Sequence, residues 1–142
     1  MTNLNSGIEI NRFNSVDDSV KKIVWDGLRS YNDTFYIRNQ MDFSVTVQID
    51  DKIVAAAIGE SKYEWLIIQY FYVEDKFRKN GIGSKIIKEI VEITKDRNCK
   101  GIHLDTFEFQ ARDFYVKQGF IVFGEIDDHP SGYKRYFMKM SI

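Results

Sequence analysis

The segment Phe71-Tyr-Val-Glu-Asp-Lys-Phe-Arg-Lys-Asn-Gly-Ile-Gly-Ser-Lys85 decides the fold. It begins as an aromatic and β-branched run, passes through a charged turn, and ends at two glycines, Gly81 and Gly83, which open an amphipathic helix. A strand, a short glycine turn and a helix N-terminus together point unpaired backbone N–H groups outward at the positive end of the helix dipole. This arrangement is typical of an anion site, and it predicts a phosphate-bearing ligand that main-chain donors hold.

The spacing of the glycines excludes two common phosphate sites. A P-loop needs Gly-x-x-x-x-Gly-Lys-Ser/Thr, which Gly-Ile-Gly-Ser-Lys does not supply. A dinucleotide fingerprint needs a third glycine, and Ile86 stands at that position. The pattern that remains is Arg-x-x-Gly-x-Gly, from Arg78 to Gly83. Mobile positive charge surrounds it on Lys76, Lys79 and Lys85.

Composition indicates one globular domain that spans residues 1–142. The chain of 142 residues is 44% hydrophobic and 15% aromatic, which is enough for one packed core. Its net charge of -1 lacks the basic signature of nucleic-acid binding. The single Cys99 cannot form an internal disulfide, and no signal peptide or long apolar run is visible. We therefore expect a cytoplasmic protein with no membrane or nucleic-acid partner, as a monomer or homodimer.

Apolar periodicity predicts a mixed α/β fold. Strands are expected at residues 8–13, 43–49, 53–58, 65–73, 101–107, 120–126 and 136–140. Helices are expected from an N-cap at Ser15 to about residue 30, from 82 to about 98, and from 110 to 118. The strand–helix–strand passage implies that the fourth and fifth strands are parallel. Residues 31–40 have no clear period and are expected to form a second helix, a binding loop or a cover for one edge of the core.

A second motif accompanies the glycine turn. Residues 111–120 read Ala-Arg-Asp-Phe-Tyr-Val-Lys-Gln-Gly-Phe, with Tyr115 four residues before Gly119. This motif, Arg-x-x-Gly-x-Gly and the element order together resemble the GNAT superfamily of acetyl-CoA-dependent N-acetyltransferases, most closely its small bacterial standalone members. The resemblance implies the acyl-CoA N-acyltransferase fold, a mixed seven-stranded, mostly antiparallel sheet flanked by helices. In this fold the central parallel pair, which corresponds to the expected fourth and fifth strands at residues 65–73 and 101–107, splays apart.

The resemblance also implies where acetyl-CoA, the co-substrate, would lie. The pantetheine arm follows the strand at residues 71–73, an amide near 71 or 72 donates to the thioester oxygen, and the loop amides hold the pyrophosphate. Many family members have an asparagine where this chain has Glu108, so Gln110 or Thr106 is expected to replace that contact. The implied coenzyme-binding residues are Phe71, Tyr72, Val73, Arg78, Lys79, Asn80, Gly81, Ile82, Gly83, Ser84 and Gln110.

Family members transfer the acetyl group by direct attack in a ternary complex, so no acyl-enzyme nucleophile is needed and Cys99 is expected to be structural. Tyr115 is the expected general acid, and the alternative is a tyrosine buried for packing alone. Its reference pKa of about 10 lies above that of a thiol at about 8.5, so complete proton transfer is uphill by about 2 kcal/mol. Such a cost is small beside an enzymic barrier.

The general base is not evident from the sequence. Some family members place a glutamate on the strand before the glycine turn, where this chain has Ile67, with Gln69 two residues on. An alkylammonium must lose a proton before attack. The candidates are Glu64, Asp105, Glu108, His129, or a water molecule held by Gln69. His103 is expected to be structural, and two distant histidines with one cysteine do not make a metal site.

The expected acceptor is a primary amine of a small molecule. The residues expected to contact it are Tyr31, Asn32, Tyr36, Trp65 and His129. Their aromatic character suits an acceptor with apolar or cationic parts. Two alternatives remain open at this point: a catalytically silent CoA-binding module, or an acetyltransferase that acts on a protein, a peptide or an aminoacyl-tRNA amine.

Overall fold

A computed structural model describes residues 7–142, which divide into two compact units, up to Ile37 and from Arg38 to Ile142. The first unit contains helix α1 (Asp18–Asn32). Asp17 is its N-cap, in extended conformation, so the expected cap at Ser15 is wrong by two residues. The helix carries the predicted apolar stripe, which the other described residues of this unit do not cover.

The predicted first strand does not form. Residues 8–13 have no strand pairing, so the expected count of seven strands is wrong, and the described chain has six. Alternating polar and apolar residues give a segment two faces, but a strand also needs a neighbour for its backbone hydrogen bonds. Residues 33–40 form no second helix either. A turn follows α1, in which the Tyr36 amide donates to the Asn32 carbonyl at 3.1 Å.

The second unit is a six-stranded sheet with helices packed on it. Its elements are β1 (Met41–Ile49), β2 (Lys52–Lys62), β3 (Trp65–Val73), a 3-10 turn (Asp75–Phe77), α2 (Ile82–Asp96), β4 (Gly101–Phe107), α3 (Arg112–Lys117), β5 (Ile121–Ile126) and β6 (Arg135–Ser141). The strand order is β1-β2-β3-β4-β6-β5. Within this sheet β3 and β4 are parallel and the other neighbours are antiparallel, as predicted.

Two tight turns align the first three strands. Asp50 and Asp51 join β1 to β2 with φ of 50° and 62°, and Tyr63 and Glu64 join β2 to β3 with φ of 53° and 64°. Two-residue hairpin turns with positive φ at both positions match the right-handed twist of paired strands. Each turn therefore fixes an antiparallel register, and β3 emerges in the middle of the sheet.

The core lies between the sheet and α2. Ile86, Ile87 and Ile90 of α2 are buried against the sheet residues Leu66 and Ile102. Their spacing is the helical period that the sequence showed, and it places the N-terminus of α2 next to the end of β3. No helix within residues 7–142 combines the length and apolarity needed to span a membrane.

Candidate active site

A cleft opens where the parallel strands separate. β3 and β4 pair at three positions, from Trp65–Gly101 to Ile67–His103, and no further pairing follows. Beyond that point the two strands diverge around a cleft of about 1240 Å³. One wall is the second half of β3, and the opposite wall comprises the end of β4 and the start of α3.

A β-bulge at Gln69 accompanies this separation. On β2, Ile58 pairs with Tyr70 and Gly59 pairs with Ile68, so Gln69 has no partner there. A bulge bends its strand and increases the local twist. A Cβ atom on Gly59 would lie 1.9 Å from the carbonyl oxygen of Ile67, so only glycine fits beside the bulge. The side chain of Gln69 lines the cleft.

The glycine turn ends in a row of free amides. Gly81, the N-cap of α2, has a φ of 77°, and Lys79 has a φ of 61°. The amide of Lys85 is the first to donate into the helix, to the Gly81 carbonyl at 3.1 Å. The amides of residues 79–84 make no hydrogen bond with any described residue. A row of unpaired amides at a helix N-terminus has the geometry of the predicted anion cradle, and it borders the cleft.

The two glycines differ in what surrounds them. A Cβ on Gly81 would meet nothing within 4 Å, so this residue is needed for its left-handed backbone and leaves open space. A Cβ on Gly83 would lie 2.9 Å from the ring carbon Cζ of Phe114. The lack of a side chain at Gly83 therefore makes room for the Phe114 ring of α3.

Arg78 ties the loop to the strand. Its Nε donates to the Val73 carbonyl at 2.8 Å, and its Nη1 lies 2.7 Å from Asp75 Oδ1. Its guanidinium also lies over the Tyr72 ring, 5.9 Å from the centroid. The guanidinium is thus already engaged by the protein. Asn80 donates to the Arg78 carbonyl at 3.2 Å and does not line the cleft, unlike the other residues expected to bind the coenzyme.

Arg112, which the sequence analysis missed, also lines the cleft. Its guanidinium lies 5.1 Å from the centroid of the Tyr136 ring, and its Nη1 lies 3.2 Å from Asp113 Oδ1. Its Nε is the one buried side-chain nitrogen or oxygen within residues 7–142 that lacks a hydrogen-bond partner. Lys76 and Lys85, two of the cations expected near the phosphates, are not among the lining residues.

Tyr115 stands in the wall formed by α3 and is buried. Its ring meets Phe71 edge to face, with centroids 6.2 Å apart at 90°, and Phe120 at 5.6 Å. Burial, followed by the negative charge of Asp105, raises the pKa of Tyr115 to about 12. Its hydroxyl makes no hydrogen bond within residues 7–142. The phenol is therefore protonated at neutral pH and free to donate into the cleft.

The acidic candidates for the base differ in position. Asp105 lines the cleft, and its Oδ2 accepts from Arg135 Nη2 at 2.7 Å and Nε at 3.0 Å. Glu108 also lines the cleft, but its Oε2 accepts the Lys134 amide at 2.8 Å. Glu64 is at the paired end of the strands, bridged to Lys100 at 3.0 Å, and does not reach the cleft.

The amide of Gln110 holds the β4–α3 turn together. Its Oε1 accepts from the Phe107 amide at 2.8 Å and from the Thr106 hydroxyl at 3.3 Å. Its Nε2 makes no hydrogen bond with a described residue, and the side chain lines the cleft. Gln110 can therefore donate to a ligand while its oxygen holds the turn, and its contact with the coenzyme stays a prediction.

The residues expected to contact the acceptor are divided between the two compact units. Tyr31, Asn32 and Tyr36 belong to the first unit and remain predictions. Trp65 packs at the paired end of β3, where a Cβ on Gly101 would lie 2.5 Å from its ring, and it does not line the cleft. It meets His103, whose pKa burial lowers, at 6.3 Å between ring centroids.

His129 belongs to a cluster of rings that the sequence analysis recognised only in part. The members, hereafter the aromatic corner, are Phe107, Phe109, His129 and Tyr133. Phe107 and Phe109 are stacked, with centroids 5.4 Å apart at 7°, and His129 meets Phe107 at 5.6 Å. Phe109 also meets Tyr133 at 5.1 Å and 81°, and it is the member that lines the cleft.

Comparison with known proteins decides the family. The sequence pattern of the Acetyltransferase (GNAT) family matches residues 14–120, which include both motifs as far as Phe120. The chain belongs to the GNAT family. It is therefore an enzyme, an acetyl-CoA-dependent acetyltransferase.

Relatives of this GNAT protein agree in fold and length. An acetyltransferase of Agrobacterium fabrum is 29% identical over 118 residues, which cover 82% of this chain and 86% of the relative. A crystal structure of an acetyltransferase from Bacillus cereus is 26% identical, with a TM-score of 0.85 over 93% of this chain and 98% of that one.

A more distant GNAT-like structure carries the co-substrate. It comes from Bacillus anthracis, is described as a candidate streptothricin acetyltransferase, and was solved in complex with acetyl coenzyme A. It is 22% identical, with a TM-score of 0.64 over 79% of this chain and 68% of that one. This likeness shows a shared fold.

Proposed function

We propose that this GNAT enzyme transfers the acetyl group of acetyl-CoA to a primary amine of a small molecule, by direct attack in a ternary complex. The observation that carries the proposal is the cleft between β3 and β4, which opens onto the unpaired amides of residues 79–84. One ligand can then lie along a strand with its phosphates on a helix N-terminus.

The cleft fits the coenzyme on two physical grounds. The six free amides offer donors to a pyrophosphate, and the space beside Gly81 is open to it. After the separation point, no strand within residues 7–142 pairs with the β4-facing edge of Phe71–Val73. Apart from the Val73 carbonyl, which accepts from Arg78, the backbone groups on that edge are open to the amide groups of a pantetheine arm. Arg112 and Lys79 add positive charge in the cleft wall, and the acetyl-CoA bound by the Bacillus anthracis protein of the same fold supports this assignment.

In this proposal the main-chain amide near Tyr72 donates to the thioester oxygen, on which negative charge develops during attack. A donor of this kind contributes about 3 kcal/mol to lowering a barrier. Bound acetyl-CoA supplies the activated acyl group, and the protein supplies orientation and hydrogen bonds. No cysteine takes part, because Cys99 is not among the cleft residues.

Tyr115 donates a hydrogen bond to the departing sulfur. With its pKa raised to about 12, complete transfer to a thiolate of pKa about 8.5 is uphill by about 5 kcal/mol, more than the reference pKa values suggest. The hydroxyl therefore stabilises the thiolate as it forms, and the proton transfers late. This role requires the phenol to be protonated, which burial ensures across the physiological pH range.

Asp105 is the base candidate that the geometry favours. Arg135 occupies only its Oδ2, which leaves Oδ1 for a water molecule in the cleft. Gln69, at the bulge on the facing strand, can orient the same water. A proton of the acceptor ammonium would pass to this water and the carboxylate before attack.

The direct experiment measures thiol release from acetyl-CoA in the presence of a panel of primary amines. We expect amine-dependent release and formation of the acetylated amine in equal amounts. Tight CoA binding with no release for any amine would instead identify a silent coenzyme-binding module. Thiol release that occurs only with a peptide or an aminoacyl-tRNA would show that the acceptor is not a small molecule.

A further inference from the structure

We propose that the aromatic corner binds a second, cationic group of the acceptor, so that the acceptor is an amine with a further positive charge remote from the reacting nitrogen. This inference rests on the proposed function, since it names the class of the same acceptor. Phe109 connects the two regions, because it lines the cleft and belongs to the corner.

The rings of the corner hold one another in place, and two of them remain exposed to solvent. Phe109 is held between the parallel ring of Phe107 and the perpendicular ring of Tyr133. Even so, 54% of Phe109 and 46% of Tyr133 are exposed. Both rings therefore keep part of their surface accessible to a ligand. The faces of such rings attract ammonium and guanidinium groups.

Electrostatics select a cation over a neutral or anionic group. The segments 105–109 and 124–135 contain five carboxylates and two cations. Lys134 is engaged by Glu125 at 3.0 Å and by Asp127 at 3.1 Å, and Arg135 is engaged by Asp105. The carboxylate of Glu108 meets only a backbone amide in this region. The negative excess beside the rings therefore favours a positively charged ligand.

Within the protein, one ring of the corner already contacts a cation. The guanidinium of Arg135 lies over Phe107, 5.5 Å from the ring centroid. Phe107 stacks in turn on Phe109, so the acceptor cation would contact the second ring of the stack whose first ring contacts Arg135. An acceptor with a carboxylate at its far end would meet Glu108 and be disfavoured.

The kinetic test compares diaminobutane with butylamine, which share a chain length and differ in the second cation. We expect the wild-type enzyme to favour the diamine in kcat/KM by about tenfold, within the range of one cation–ring contact. Phe109→Leu and Tyr133→Leu should each reduce this preference. Because Tyr133 does not line the cleft, Tyr133→Leu should also leave kcat/KM for butylamine within about twofold. Phe123→Leu is the matched control, because Phe123 is 55% exposed and lies outside the corner. Equal use of both amines, or a preference that survives both corner variants, would overturn the inference.

A binding test separates this inference from the proposed function. Tetramethylammonium cannot be acetylated, so its binding to the coenzyme-free protein, followed by shifts in Phe and Tyr ring signals in NMR spectra, is independent of turnover. The inference requires that it bind, that neutral tert-butyl alcohol bind more weakly, and that Phe109→Leu weaken the binding. If the two probes bind alike, or if Phe109→Leu has no effect, the corner is not a cation site, whatever the enzyme acetylates.

Discussion

At the scale of single residues, the two glycines of the turn show why one motif can serve two purposes. Gly81 provides a left-handed backbone beside open space, whereas Gly83 makes room for the Phe114 ring. The sequence predicts that both positions are needed, since glycine is the residue for tight turns. It cannot distinguish their roles, because Phe114 lies thirty-one residues away in the chain.

Substitution of the two glycines should separate coenzyme binding from folding stability. Gly81→Trp should abolish CoA binding, measured by calorimetry, because it fills the open space and strains a positive φ. Gly83→Ala should instead lower the free energy of unfolding by about 1–3 kcal/mol through overpacking. The double variant Gly83→Ala/Phe114→Leu should recover most of the lost free energy of unfolding, measured by urea titration. Retained CoA affinity in Gly81→Trp would show that the cradle has been misplaced.

Tyr115→Phe tests the role of the hydroxyl. The ring contacts with Phe71 and Phe120 remain, so CoA affinity should be nearly unchanged. Turnover should fall by at least about tenfold, because general acid catalysis contributes about 10²–10⁴-fold. Val116→Ala, an exposed position on the same helix, is the control. Unchanged turnover in Tyr115→Phe would leave the residue with a packing role alone.

The same residue predicts an alkaline limit to stability. Below pH 10 the phenol is protonated in both the folded and unfolded states. Between pH 10 and about 12 the unfolded chain loses its proton first, so the free energy of unfolding falls as pH rises. Tyr115→Phe should flatten this decline in chemical denaturation at a series of pH values. Lys134, whose pKa is also raised, contributes in both proteins. Parallel curves for the two proteins would contradict the raised pKa.

At the scale of elements, the bulge in β3 is the feature that shapes the site. The bounds of β3 and β4 agree with the sequence prediction, because β-branched and aromatic runs between turn residues are reliable signals. The bulge was not predicted, since it depends on the register with β2 and on the closeness of Gly59 to Ile67. The strand predicted at residues 8–13 is absent for a similar reason, because alternation of polar and apolar residues does not specify which strand would pair with it.

Gly59→Ala should therefore affect both stability and the site. The added methyl would lie 1.9 Å from a backbone oxygen, so the paired strands must move apart. We expect a loss of about 3 kcal/mol or more in the free energy of unfolding, together with weaker CoA binding. Ala57→Gly, on the same strand and buried, is a control for a change of similar size. Wild-type stability in Gly59→Ala would show that the bulge does not depend on this contact.

At the scale of the whole molecule, the order of elements and two short motifs sufficed to predict the fold and its family. The cradle at residues 79–84 and the wall containing Tyr115 follow from those motifs, and the structure brings them to one cleft. Arg112 was not predicted as a cleft residue. The aromatic corner was predicted only in part, at His129, because it joins residues 107–109 to 129–133 through a loop without sequence periodicity. The residues of the aromatic corner are therefore recognised as a group only in the tertiary structure.

In the proposed complex, acetyl-CoA lies along β3 with its pyrophosphate on the amides before α2. Titration of isotopically labelled protein with CoA, followed by backbone amide chemical shifts, tests it most directly. We expect the largest shifts on residues 71–73 and 79–84, and we expect Gly81→Trp to remove them. Largest shifts outside these two segments, or shifts that persist in Gly81→Trp, would contradict it.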